Sequence, residues 1–140
     1  MTRTSTLSTR RRRARTDRAR RVAAHALGAG LAFAGIGHLT FAREEFQAQV
    51  PPWVPMDADD VVLLSGAAEI ALGAGLIALP KERRRMGVLT AAFFTAVFPG
   101  NISQYTNKRD GFGLDTDRKR AVRLAGQPLL VAWALWSTRT

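Results

Sequence analysis

The segment Val61–Leu79 carries one charge, Glu69, and besides it only Ser65 is polar. A helix of this sequence has no face that water can wet, and a helix that is apolar all round needs apolar surroundings. Three further runs read the same way. Val22–Ala42 is apolar or small apart from His25, His38 and Thr40. Met86–Gly100 has no charge and continues to Tyr105, and Ala121–Ser137 interrupts its apolar character with Arg123 and Gln127. Spanning a bilayer takes about 20 largely apolar residues. No period-two alternation supports a β-barrel. The expected fold is therefore all-α: an antiparallel four-helix transmembrane bundle with helices at about 22–42, 61–79, 86–106 and 119–137. The apolar run continues past Ala34, which fits a spanning helix better than a cleaved leader.

The formal net charge of +10 does not describe a basic soluble domain. Nine arginines and one acid, Asp17, fall within residues 1–21, so the rest of the chain is close to balanced. Residues 1–21 are expected to form a disordered basic cytoplasmic tail lying against anionic headgroups, ahead of a membrane domain at 22–140. The tail has no interleaved aromatics to stack bases, so nucleic acid is not expected as a partner. Lys and Arg in the flanks set orientation. Loop 43–60 has one basic residue, loop 80–85 four and loop 107–120 five, and Arg139 lies at the C-terminal end. With both termini inside, cytoplasmic basic residues outnumber external ones, so the chain is expected to be a multi-pass protein of a bacterial cell membrane with both termini cytoplasmic.

Ionisable groups inside a spanning segment cost roughly 2.5–3.5 kcal/mol at mid-helix and are functional candidates. His38, Glu69, Asn101, Gln104, Arg123 and Gln127 all fall about 3–12 Å from the outer ends of their helices, at ~1.5 Å per residue. Ser65, Glu69 and Gly73 share one helix face, as do Arg123 and Gln127. The sequence thus predicts one polar layer, made of His38, Ser65, Glu69, Asn101, Gln104, Arg123 and Gln127. Pro99 and Gly100 are expected to interrupt the third helix and free carbonyls toward that layer. The economical pairing is Glu69 with Arg123, since each charge alone would be buried unpaired. Three prolines in Pro51-Pro52-Trp53-Val54-Pro55 forbid a regular helix in the outer loop. Phe46, Val50 and Trp53 are expected to lay that loop over the mouth of the bundle as a cap.

Two readings of the polar layer stay open. It is structural glue, or it is a site for a small polar headgroup such as a quinone carbonyl, with His38 and Glu69 handling protons. The chain has no cysteine, which removes disulfides, iron–sulfur clusters and thiolate zinc. His25 and His38 are about 20 Å apart on one helix and cannot clamp one haem iron. No metal is expected, and no Walker, Rossmann or nucleophile-elbow motif is present.

Four strings in order, Gly35-Ile36-Gly37-His38-Leu39, Val50 to Pro55, Ser65 to Gly73 and Phe98-Pro99-Gly100-Asn101-Ile102, are followed by Arg123 to Leu129 with Trp133 and Trp136. Together they resemble the DoxX-like family of small bacterial membrane proteins over about residues 25–137. The resemblance implies a four-helix membrane bundle and an association with quinone-linked redox, as an accessory subunit or small-ligand site beside membrane oxidoreductase subunits. It implies no agreed catalytic residues. A quinone is the implied cofactor, and none need be tightly bound; the lipid bilayer and a second copy of the chain are the other partners in view. The alternatives are a structural or assembly protein without its own activity, or a small transporter.

Overall fold

The computed structural model describes residues 2–111 and 113–140, with side chains from residue 6 onward. The described residues are helical and contain no strand: α1 (Thr2–Leu39), α2 (Arg43–Gln47), α3 (Ala58–Ala78), a 3-10 turn (Pro80–Glu82), α4 (Arg83–Thr106) and α5 (Asp117–Ser137). Three of the helices, α1, α3 and α4, are long and apolar enough to cross a membrane. They also carry large apolar residues on their outer faces: Phe33 is 66% and Leu64 61% exposed. The first turns of α5 carry Asp117, Arg118, Lys119, Arg120 and Arg123, which lowers its hydropathy, although Leu129 on its far side is 71% exposed.

Local chemistry sets the boundaries. Asp57 caps α3 by accepting the Asp59 amide at 2.8 Å, and Thr116 caps α5 by accepting the Lys119 amide at 3.2 Å. Both satisfy amides that a helix start leaves without carbonyl partners. Pro80 sits at the start of the 3-10 turn, where its missing N–H costs nothing.

Residues 2–21 depart from the sequence expectation. They are not a disordered tail but the first half of α1; Met1 and the Arg3 side chain lie outside the described residues. The physical reason is propagation. Arg and Ala are strong helix formers, and extending a helix that already exists avoids the nucleation cost. Asp17 adds an i, i+4 pair with Arg21 at 2.6 Å and a tertiary pair with Arg83 at 2.9 Å. Arg83 is itself buried and also donates to the Arg139 carbonyl at 2.7 Å. This cluster fastens α1 to the start of α4 and to the C-terminal residues.

The long helices pack as two pairs. In the first pair, α1 meets α3 through glycines spaced seven apart on each helix. A Cβ on Gly28 would lie 2.8 Å from the Gly73 carbonyl oxygen, and one on Gly35 would lie 2.6 Å from that of Gly66. The register runs in opposite directions along the two helices, and backbone meets backbone, which only small residues allow. The second pair, α4 with α5, joins near Gly87 and Thr138 and again at Asn101 and Gln127. Leu27, Leu31, Leu76, Ala91, Phe94 and Ala134 form the core between the pairs. Trp133 Nε1 donates to the Ala23 carbonyl at 2.9 Å and ties α5 to α1.

Pro99 does not end α4, which continues to Thr106. Its ring still removes the helical donor to the Thr95 carbonyl. Gly100 supplies the other effect of this pair of residues. A Cβ there would lie 2.6 Å from the Gln49 carbonyl oxygen, so its absence lets the loop after α2 close onto α4.

Candidate functional site

The void between the two helix pairs is a half-enclosed cavity of about 580 Å³, within the roughly 300–1,000 Å³ typical of small-molecule sites. Along α1 its wall runs from His38 to Ala26, about 18 Å at 1.5 Å per residue. The wall is polar at one end and apolar along the rest. His38, Ser65, Glu69, Asn101, Arg123 and Gln127 all line it. The structure therefore gathers into one cavity every member of the expected polar layer except Gln104.

Gln104 departs for a geometric reason. It is fully buried, yet it sits beneath the loop after α4, with Gly111 packed over its amide. Its Nε2 has no hydrogen-bond partner. Gln104 shares the helix face of Asn101 but lies one turn closer to the end of α4, where the following loop at Gly111 covers it instead of the cavity.

Glu69 also has a neighbour that the sequence did not predict. His38 Nδ1 lies 2.9 Å from Glu69 Oε2, with side chains 9% and 12% exposed. The same Nδ1 lies 2.9 Å from the Ala34 carbonyl. A carbonyl only accepts, so Nδ1 carries the proton and donates to Ala34. Glu69 Oε2 then stands beside the imidazole without a directed hydrogen bond. Arg123, the expected partner, points Nε at Asn101 Oδ1 at 3.3 Å; it interacts with Glu69 electrostatically. The tight contact between α1 and α3 explains the approach of His38. Gly66 accommodates the His38 Cβ, at 2.7 Å from where its own would stand, so His38 reaches α3 one turn from Glu69.

On the other pair the amides form a directional relay. Arg123 donates to Asn101, Asn101 Nδ2 donates to Gln127 Oε1 at 3.0 Å, and Gln127 Nε2 donates to the Phe94 carbonyl at 2.8 Å. Each bond fixes the orientation of the next amide. The relay spans α4 and α5 and meets the cavity at its polar end.

The loop between α1 and α3 closes that end. Phe46 stacks on His38 with ring centroids 3.3 Å apart and planes 14° apart. Val50 is buried, while Trp53 lines the cavity and remains 72% exposed. Arg43 grips Asp59 with two hydrogen bonds, its Nε at 2.6 Å from Oδ1, and Gln47 joins the same carboxylate at 2.9 Å. The Asp59 carboxylate holds the Arg43 guanidinium above its ordinary pKa. Arg109 reaches from the loop after α4 to the Val50 carbonyl at 3.1 Å. That second loop is held in turn by buried Arg120, which bonds Asp110, Asp117 and the Arg109 carbonyl.

Gln49 is the site residue that sequence reasoning missed. The residue lines the cavity, and its Nε2 is buried without a hydrogen-bond partner. The signal was Gly100: a glycine directly after a helix proline marks a place where another backbone comes close. The site thus brings together the Glu69 carboxylate beside His38, the guanidinium of Arg123 and the amides of the relay. Among the described residues no group of His, Cys, Asp and Glu could hold a metal ion.

A family model described as a domain of unknown function (DUF8561) matches residues 27–138. No curated protein and no solved structure matches the chain.

Proposed function

The chain belongs to the DUF8561 family, whose description carries no function, and from its cavity we propose that it is a membrane protein of the DoxX type that holds a small amphiphile serving quinone-linked redox. In this reading α1, α3, α4 and α5 all cross the bilayer as an antiparallel bundle with both termini in the cytoplasm. Its partners are lipid, membrane oxidoreductase subunits and further copies of itself. The observation that carries the proposal is the division of one cavity into a polar end and a long apolar remainder. A ligand with a hydrogen-bonding head and a hydrocarbon tail matches that division; a small hydrophilic solute does not.

The test is purification with native lipid, organic extraction and mass spectrometry of what is released. A lipoquinone at near-stoichiometric level from the wild-type protein, and its loss from a folded Gln127→Leu variant, supports the reading. Phospholipid alone in the extract overturns it.

A second reading is favoured by one specific feature. The Arg123–Asn101–Gln127–Phe94 relay joins α4 to α5 without needing any ligand, as a purely structural or assembly protein would require. If Asn101→Leu abolishes accumulation of the protein while no ligand is ever recovered, this second reading replaces the first.

A further inference from the structure

Resting on the amphiphile reading above, we infer that the apolar part of the cavity opens sideways into the bilayer between α1 and α5, and that the ligand is a lipid whose chain is longer than the cavity and passes out through this window. The argument starts from the edges of the void. A wall residue that is also exposed marks a place where the void meets its surroundings. Ala26 and Gly30 on α1 are such residues, and so is Trp133 on α5, which is 39% exposed. The two helices are tied where Trp133 donates to the Ala23 carbonyl. From that tie toward the polar end, Ala26 and Gly30 edge the seam, and nothing lies within 4 Å of a Cβ built on Gly30. Two other glycines of α1 behave in the opposite way. Cβ atoms on Gly28 and Gly35 would stand 2.8 and 2.6 Å from carbonyl oxygens of α3. Helix α1 is locked to α3 along one side and stands clear at Gly30 on another.

Depth decides what can use the window. Gly30 lies at the middle of the apolar part of α1, residues 22–39, about 12 Å along the helix from His38. At that height a bilayer is hydrocarbon, so the opening admits an alkyl or isoprenoid chain and no hydrophilic solute. The polar end is roofed instead: Phe46 stacks on His38 and Val50 is buried, while the exposed Trp53 of that roof suits the headgroup level. The opposite seam, between α3 and α4, is open on one bank. Ala96 of α4 lines the void and is exposed, but every wall residue of α3 is buried or half-buried. A chain held wholly inside would have to fit a wall of about 18 Å. A longer chain that leaves through the window keeps its lipid contacts and most of its conformational freedom, so binding immobilises the head and the first part of the tail.

The experiment uses the full chain in nanodiscs and two probes: ubiquinone with its full isoprenoid chain, incorporated at graded mole fractions, and the tail-less ring dimethoxy-methyl-benzoquinone, added from solution. Trp53 and Trp133 line the cavity, so saturable quenching of tryptophan fluorescence reports occupancy. Gly30→Phe sets a ring in the window at a position with free space around it, and Ala26→Phe does the same one turn away. Both should weaken the long-chain ubiquinone about tenfold or more and change the tail-less ring by about twofold or less. Ala96→Phe, at the other seam, should spare both probes. Wild-type affinity for the long-chain ubiquinone in Gly30→Phe and Ala26→Phe overturns this inference, as does its loss in Ala96→Phe instead, or equal weakening of both probes by Gly30→Phe. Each of these results leaves the amphiphile reading standing. The absence of saturable binding of the long-chain ubiquinone by the wild-type protein overturns both.

Discussion

Replacing Gly35 by Ala tests whether backbone contact between α1 and α3 builds the site. The added Cβ would stand 2.6 Å from the Gly66 carbonyl oxygen and 3.0 Å from the Ile70 amide nitrogen. Both are backbone atoms of α3, so no side chain can swing aside. Restoring ordinary contact near 3.4 Å moves the helices apart by about 0.8 Å. His38 lies one turn from Gly35, and its 2.9 Å approach to Glu69 would open toward about 3.7 Å, loosening that pair. Overpacking of this kind costs about 1–3 kcal/mol. The assay is graded unfolding in detergent followed by tryptophan fluorescence, with Gly126→Ala as the control. No atom lies within 4 Å of a Cβ at Gly126, so that change should be neutral or stabilise by about 0.4–1 kcal/mol through the unfolded state. If Gly35→Ala unfolds at the same point as Gly126→Ala, the close-packed reading of this helix pair is wrong.

The remaining predictions address other elements. In a double-mutant cycle between Asn101→Leu and Gln127→Leu, unfolding should show a coupling of about 0.5–1.7 kcal/mol, the range of hydrogen bonds between membrane helices; additive effects would mean that the relay stabilises nothing. Arg83→Gln removes the tie among Asp17, Arg83 and the Arg139 carbonyl, so brief trypsin treatment should cleave after residues 10–21 several-fold faster than in the wild type, with fraying read by circular dichroism. Because the chain has no cysteine, Asp57→Cys should react with an impermeant maleimide from outside intact cells and Glu82→Cys should not; the opposite pattern would invert the proposed topology. Arg120→Met should loosen the loop after α4, seen as faster amide exchange at residues 107–111 with little change in the middle of α5.

Hydropathy made most of the fold legible. The runs at 61–79, 86–106 and 119–137 lie within about three residues of α3, α4 and α5, because the change from apolar to charged sequence coincides with the capping residues Asp57 and Thr116. The proline-rich stretch from Pro51 to Pro55 is non-helical for the reason its composition gives. Residues 2–21 were harder to read, because nine arginines suggest a solvated coil when considered alone. Their helix is inherited from the segment that follows. Helix faces were also legible, which is why Ser65, Glu69, Asn101, Arg123 and Gln127 share a cavity. Neighbours across the bundle were not. Periodicity assigns a residue to a side of its own helix and leaves open which helix stands opposite. Glu69 was paired with Arg123 on grounds of charge, whereas glycine spacing at 28 and 35 and at 66 and 73 was the feature that put His38 beside it. Gln49 lay outside this logic because loop positions have no period.

The two helix pairs are fastened internally by unlike means, interlocked backbones on one side and an amide chain on the other, while the cavity interrupts the core between them. Deformation concentrates where a body is weakest, so the softest motion available to this molecule is a change in the gap between two stiff halves. Trp133 and Ala23 restrain that gap near one end and the paired loops latch it at the other. An occupant's bulk is therefore accommodated by elastic spreading of the halves, with the hydrogen bonds inside each half left intact.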